Sequence, residues 1–592
     1  MNQYININSD LDALKIKEIE KIFYEKINKD TNIVPKVTPF KGINTDMLYI
    51  QDNKILFIKF MDTTEDLFFI LEEELIEVMN EENDLLKLRM AQSDKKIDYN
   101  YIFIMPYVEL SNDNEDNEFI KNNLVDKNKL KNIIDNKDFI NEYLKESNSE
   151  IELNLFLLDI CPEYYVVNNK ENLNGKFKKI SFYNDDYKYS ANMLEKSQMT
   201  DVISIKYGNT LFTGGSGTGK STLMLSRAMK LARVYPHHKF LILTESKQVC
   251  NELREKTQLL YKENANLEIH TFSSFLFKLA KKYNLIFDYN MLKKDFEKTF
   301  NNLLKQAQNI IKNKNMFKGI FIDEAESFSK TNIDFIREFL YQNKFIFNLF
   351  SCESINISSH LNIFKGTYDE IEFEEKIFLN INYRQSKELV EFSNNFAENS
   401  NKYIKELRSN ISHNKFYETK AIRDGNKSVD IIKVSDLDDQ ISSVIWEIEY
   451  LINKKGIDFS EIGIIYPYNK KKLKNGNTIY FQYMLKKALE EAEIPYIYAE
   501  DNLTNISKKI GVTMSNIYTI KNLEYKAIIV CELEMLYNHT IHDKQQDYQI
   551  NDFVGDLNKV YLAINRACDY LSIITTFNEN SSDIIKLLIE SK

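Results

Sequence analysis

Cysteine is scarce in this chain: five in 592 residues, at 161, 250, 352, 531 and 568, with no C-x-x-C pair among them. That scatter excludes a disulfide framework or a zinc module and fits a reducing compartment. Histidine is rarer still for the length, seven in all, and shows no ligand spacing. The opening MNQYININSD lacks a basic stretch followed by an apolar core, so no secretory signal is read there. No apolar run approaches the length of a bilayer span, which excludes a membrane helix and places the expected chain in the cytoplasm. There is one tryptophan, Trp446, and its apolar helical surroundings assign it to a core. No repeat of fixed short period is visible.

What is present is a large apolar fraction, 43%, enough for several cores and about three to four domains by length. The net charge of −11 means that any nucleic acid must be held by a local basic surface rather than by the overall field. One such surface is offered by Lys278 to Lys318, with ten lysines against three acids, although a solvated helical face has the same composition.

The most informative stretch is GNTLFTGGSGTGKSTLMLS, Gly208 to Ser226, in which an apolar strand breaks into glycines and reopens as a helix. Gly214, Gly219, Lys220 and Ser221 have the G-x-x-x-x-G-K-[ST] spacing of a phosphate-binding loop. Glycines let the backbone turn until its N–H groups converge on phosphate oxygens, and the following helix points its positive end at them. The expected phosphate-binding set is Gly214, Gly215, Ser216, Gly217, Thr218, Gly219, Lys220, Ser221 and Thr222. Lys220 is expected to reach the terminal phosphates, and Ser221 to hold Mg2+. Downstream, GIFIDEAESF (319 to 328) is an apolar strand ending in Asp323 and Glu324. Such a pair suits metal binding, by Asp323, and activation of a water, by Glu324.

Apolar strands expected at 153–160, 240–244, 319–322, 345–350, 429–434, 462–466, 528–531 and 571–575 alternate with helical patterns. The alternation predicts parallel sheets covered by helices. The organisation read from this is an N-terminal α/β domain (1–110, with strands at 47–50, 55–60 and 101–105), a polar connector with an additional strand (111–185), and two α/β units (186–372, with a short insertion at about 275–317, and 373–592).

From the loop outward the chain resembles the superfamily 1 helicases of the UvrD/Rep type, over roughly residues 190 to 575. The resemblance implies two RecA-like P-loop domains that clamp ATP between them. In LEKSQMTDVISI it places Gln198 on the adenine. In LNINYRQSKELVEFSN (379 to 394) it places Tyr383 against the adenine and Arg384 as an arginine finger. In VYLAINRACDYLSII (560 to 574) Arg566 becomes the second γ-phosphate cation, and in IYTIKNLEYKAIIV (517 to 530) Glu524 becomes the ribose ligand. FLILTESKQVCNEL (240 to 253) and IHTFSSF (269 to 275) look like strand-contacting segments, with Thr244, His270, Thr271 and Ser273 as contacts. The resemblance implies ATP-dependent movement along single-stranded DNA in the 3′ to 5′ direction, with RNA as another strand the residues accommodate, in DNA repair or antiviral defence.

The sequence also departs from that family. Glu326 stands where a glutamine is usual, and NLFSCESINIS lacks the G-D-x-x-Q box, with Glu353 near the glutamine's place. Asn522 replaces the glycine of K-G-L-E, Tyr518 a histidine, and Asn565 a threonine. The large mobile subdomain is missing or reduced, so translocation is expected over processive unwinding. A nucleotide-gated switch that engages a protein partner through the N-terminal region is the competing reading.

KVTPFKGINTDMLYIQDNKILFIKF (36 to 60) resembles the nuclease-related module fused to helicases of this family, a restriction-type core. Asp46 and Lys59 are in place, but Phe57 stands where the metal-binding glutamate belongs, with Glu18 or Glu20 as substitutes. Nuclease activity is not expected.

Overall fold

The computed structural model describes residues 18–27, 32–40, 43–51, 53–92, 97–110, 117–145, 150–168, 179–184, 187–260, 265–286, 294–310, 314–352, 354, 368, 371–411, 414–424, 428–468, 471–472, 478–479, 481–499, 510–520, 523–536, 547–578 and 581–592. Glu353 and Asn522, two of the noted departures, lie outside them.

Two six-stranded sheets dominate, and every neighbouring pair in both is parallel. The first runs in the order 267–271, 240–244, 319–322, 346–351, 208–214, 375–379. Its central strands Phe240–Thr244, Gly319–Ile322 and Ile346–Ser351 are buried at every position. Helices on both faces require this, and it is why these strands read as unbroken apolar runs rather than alternating ones. The phosphate-loop strand Gly208–Gly214 is held beside Ile346–Ser351 by a Phe212–Phe350 stack, 4.4 Å between ring centres. The sixth strand, Glu375–Leu379, comes from beyond residue 372, so this sheet reaches past the division expected there.

The second sheet runs 429–434, 567–576, 525–531, 462–466, 512–516, 496–498. Together the two are the parallel, helix-covered sheets that the alternation predicts, and they agree with the RecA-like domains that the helicase resemblance implies. Strand Ile381–Ser386, which carries Asn382, Tyr383 and Arg384, belongs to neither; it pairs in parallel with Lys420–Arg423.

The N-terminal sheet has five strands in the order 32–35, 47–51, 54–60, 99–104, 124–125. Its first two junctions are antiparallel and its last two parallel. The strands expected at 47–50, 55–60 and 101–105 are present within a residue or two, and Leu124–Val125 joins them from inside the segment read as a connector. A separate three-stranded antiparallel sheet (165–168, 187–193, 179–184) precedes the phosphate loop.

Two expectations are corrected. The strand expected at 153–160 is a helix, Glu150–Ile160. An unbroken apolar run carries no period that separates a buried strand from a buried helix. Trp446 is not in the core: it is 59% exposed. Its helix, Leu437–Lys455, buries Ile441, Val444, Ile448 and Leu451, and Trp446 lies off that stripe, stacked on Tyr450 one turn later.

Among the described residues no helix is long and apolar enough to cross a membrane.

Candidate active site

The phosphate loop turns on two glycines with left-handed backbone, Gly217 (φ +79) and Gly219 (φ +78). Side chains rarely adopt that region, and neither position has room for one: a Cβ on Gly217 would lie 2.6 Å from Asn382 Oδ1, and one on Gly219 2.9 Å from Gln198 Nε2. Gly219 ends the loop, and the helix Lys220–Val234 starts directly after it. Lys220 folds its ammonium back over the loop, donating to the carbonyls of Gly214 (3.0 Å) and Gly215 (2.7 Å). Thr218 is tied inside by a hydrogen bond from its hydroxyl to Gly215 O, while Ser221 is exposed and Thr222 half-buried at the helix start.

Gln198 sits in the first turn of Lys196–Ile203, where its side chain accepts from the Glu195 backbone in a capping box. That short helix is locked to the loop's helix by Arg227, fully buried, which reaches the carbonyl of Ser204 (3.1 Å) and the side chain of Asn348 (3.1 Å). Tyr383 also packs against Gly219, its ring 3.7 Å from where a Cβ would stand, and its hydroxyl is 3.4 Å from Ser197 Oγ. The two residues expected at the adenine thus meet at one glycine of the loop.

Three further side chains reach the loop from downstream segments. Asn382 donates to Ser216 O (3.2 Å), and its own Oδ1 accepts from the backbone N–H groups of Arg384 and Gln385, both at 3.0 Å. Arg384 donates from Nη1 to Ser216 Oγ at 2.9 Å, and Arg566 from Nη2 to the same oxygen at 2.8 Å. Arg384 is paired with Glu524. Burial, and then the like charge of Arg384, lower the Arg566 guanidinium to about 10, which still leaves it charged at neutral pH. Although desolvation pushes Glu524 up, Arg384, Arg566 and Lys256 hold it below the usual carboxylate range. Asn382, directly before Tyr383 in LNINYRQSKELVEFSN, is a loop contact to which the resemblance assigned no part.

Asp323 and Glu324 follow the strand Gly319–Ile322. Asp323 is buried, and burial, then the neighbouring carboxylate of Glu324, raise it to about 7 despite a hydrogen bond with Ser221. Its Oδ2 is buried with no hydrogen-bond partner. Glu324 holds a left-handed backbone (φ 51), which turns the chain sharply at the strand end. Glu326, in place of the usual glutamine, is buried and accepts from the Cys352 N–H at 3.1 Å.

These features fit a magnesium-bound nucleoside triphosphate. Two guanidinium groups and an ammonium converge on one loop, with both guanidinium groups sharing a neutral hydroxyl oxygen, an arrangement that an anion completes. Asp323 and Ser221 have the chemistry to hold the Mg2+, an oxygen-seeking cation, and the orphaned Asp323 oxygen is available to it.

The expected strand contacts are placed differently. Thr244 is fully buried at the end of its strand. Thr271 caps the helix Phe272–Lys282 by accepting from the Ser274 N–H (3.1 Å), with Ser273 Oγ 3.2 Å from its hydroxyl. His270 is engaged by Glu268 (3.5 Å), Arg254 and Lys278 (both 3.4 Å). Of the lysine-rich stretch, Lys293 and Lys312 lie outside the described residues, and Lys318 is buried against the Tyr207 and Tyr235 rings.

A mononucleotide loop at a parallel strand's end, with a carboxylate pair at the end of the next strand but one in the same sheet, defines a P-loop ATPase domain. The family model described as AAA domain matches residues 198–348, the stretch from Gln198 to Asn348. No curated protein matches the chain. The match does not extend to the N-terminal sheet, so the nuclease-related resemblance has no support from it.

Proposed function

We propose that the chain is an ATP-driven translocase on single-stranded DNA, or a weak helicase, built on two RecA-like domains spanning about 186–372 and 373–592, whose closure over ATP drives the movement. The observation that supports this reading is the meeting of Arg384 and Arg566 at Ser216 of the phosphate loop. Arg384 lies on the strand Ile381–Ser386, which belongs to neither large sheet, Arg566 directly precedes the second sheet's strand Ala567–Thr576, and the loop belongs to the first sheet. When bound, Mg-ATP supplies the phosphoanhydride whose cleavage releases the energy and the negative charge that these cations sense.

Lys220, Arg384 and Arg566 bind and neutralise the terminal phosphate's charge. Ser221 and Asp323 hold the metal, and Glu324 orients and deprotonates the attacking water. Gln198 and Tyr383 bind the base, and Glu524 the ribose while fixing Arg384. Loss of the γ-phosphate's charge leaves Arg384 and Arg566 with Glu524 as their counter-ion and nothing on the loop to bind but a neutral hydroxyl, which favours separation of the two sheets. His270, Thr271 and Ser273 are proposed to meet the strand's phosphates, and Thr244 through its backbone alone. The 3′ to 5′ direction is carried over from the helicase resemblance.

The test is ATP turnover by the full chain with and without single-stranded DNA and single-stranded RNA. Stimulation by DNA that disappears in Lys220→Ala supports the reading. Turnover indifferent to either strand overturns it, and ATP-dependent complex formation with a protein then becomes the outcome to pursue.

A further inference from the structure

The N-terminal sheet places acids where a two-carboxylate metal centre belongs, yet lysines already hold them. Asp46 leads into the strand Met47–Gln51, and Glu20 projects from the helix Glu18–Ile27; both are buried. Between them lies the ammonium of Lys36, 2.7 Å from Glu20 Oε2 and 2.5 Å from Asp46 Oδ1. The other oxygen of Asp46 accepts the Phe60 N–H at 2.7 Å. A second lysine, Lys59, pairs with Glu82 of the helix Glu72–Ala91, whose other oxygen accepts the Tyr101 hydroxyl at 2.7 Å. Phe57, two residues before Lys59, is fully buried, edge-on to Tyr99 and Tyr101. Glu18 is exposed. The residues therefore do not fit a metal: both Asp46 oxygens are bonded to protein donors, and a metal between Glu20 and Asp46 would have to displace a buried ammonium.

We infer that Lys36 is a resident cation that takes the place of a divalent metal in the N-terminal domain and pins that domain to the helix of the phosphate loop.

The second half of this rests on what the backbone of Lys36 does. It is a non-glycine residue with left-handed backbone (φ 48), a strained conformation that persists only where surrounding contacts enforce it. Those contacts are visible. Its N–H donates to Asp46 O (2.6 Å), and its carbonyl accepts from the ammonium of Lys230. Lys230 lies on Lys220–Val234, the helix that begins at the phosphate loop, and is itself fully buried against Glu163 (3.1 Å). One turn on, Arg233 donates to Thr38 O (2.6 Å). With its left-handed turn held, Lys36 presents its side chain to the two acids and its carbonyl to the nucleotide-site helix. Burial alone would discharge such an ammonium, but Asp46 and Glu20 raise its affinity for the proton, so it remains a cation. The same acids with a metal would need an open coordination position for water to do chemistry; with lysine they form a closed, structural centre.

The test is nucleotide-free thermal unfolding of the full chain with and without Mn2+, on wild type, Asp46→Asn, Lys36→Met, and Lys36→Met combined with Glu20→Gln and Asp46→Asn. Lys36→Met leaves two uncompensated buried carboxylates. Its melting temperature should fall by several degrees and recover on addition of Mn2+, whereas the triple variant should fold and show no Mn2+ shift beyond that of wild type. Any Mn2+ shift in wild type should be unchanged in Asp46→Asn, because it then comes from the nucleotide site. If Lys36→Met does not fold without Mn2+, recovery of folded protein in its presence carries the same meaning. A wild-type Mn2+ shift abolished by Asp46→Asn, or a Lys36→Met protein as stable as wild type and blind to Mn2+, would overturn the inference.

Discussion

Arg566 donates a 2.8 Å hydrogen bond to the hydroxyl of Ser216, although 350 residues separate them in the chain. Arg566 is buried, so its charge is committed to the loop rather than to solvent. A buried guanidinium aimed at a phosphate loop acts on the charge that develops during phosphoryl transfer. Arg566→Ala is expected to lower kcat for ATP about 10³-fold or more, the range for loss of an arginine finger. Nucleotide affinity, measured by fluorescence titration, should change far less, since Lys220 and the loop amides remain. An equal loss in both would show that Arg566 serves binding alone.

Glu324 differs from Asp323 beside it. Asp323 is buried and bonded to Ser221, as a metal-holding group needs, whereas Glu324 projects from a left-handed turn. Glu324→Gln should therefore bind ATP as wild type does while turnover falls at least about 100-fold, the size of a lost general base. A single-turnover assay with bound ATP separates these two quantities.

Gly219, with its φ at +78, packs against both Gln198 and Tyr383. Gly219→Ala meets two penalties: about 1–2 kcal/mol for the left-handed backbone, and a methyl 2.9 Å from Gln198 Nε2. We expect weakened nucleotide binding. Adding Gln198→Ala should relieve the collision and not the backbone strain, so nucleotide affinity in the double variant should stay below that of Gln198→Ala alone.

Lys230 and Glu163 are both fully buried, 3.1 Å apart. Removing one partner of such a pair costs about 3–5 kcal/mol, because the remaining charge is left without compensation. Arg233 lies 3.6 Å from Glu163 and softens the loss. Lys230→Met should therefore fall at the lower end in urea unfolding, and Lys230→Met with Glu163→Gln should recover part of it.

The Glu268 carboxyl is held down at about 2, first by the hydrogen bond with His270 and then by Lys278 and Lys239. A depressed folded value means that the ionised form stabilises the fold. Its contribution is fully present above the ordinary value of 4.5 and is lost as pH falls from there toward 2. The stability difference between wild type and Glu268→Gln should thus be constant near neutrality and shrink to nothing in that acidic window. A difference that does not vary with pH would show that only packing is lost.

Much of the nucleotide site was legible because it is local. The spacing Gly214, Gly219, Lys220, Ser221 encodes a turn and a helix start, and the apolar run before Asp323 encodes a buried strand end. Short-range geometry fixes both, whatever the rest of the chain does. Trp446 shows where such reading fails: it lies among apolar residues in sequence, and only the helix's angular spacing and its neighbours decide which face is covered.

By itself, then, the sequence determined the phosphate loop, the acidic strand end and the alternation that makes parallel sheets. Only the tertiary structure decided that Arg384 and Arg566 share the oxygen of Ser216, and that Lys36 fills the gap between Glu20 and Asp46. Those are contacts between residues far apart in the chain. Their geometry is set by how sheets and helices pack, where burying a charge is favourable only if the fold brings its partner to it.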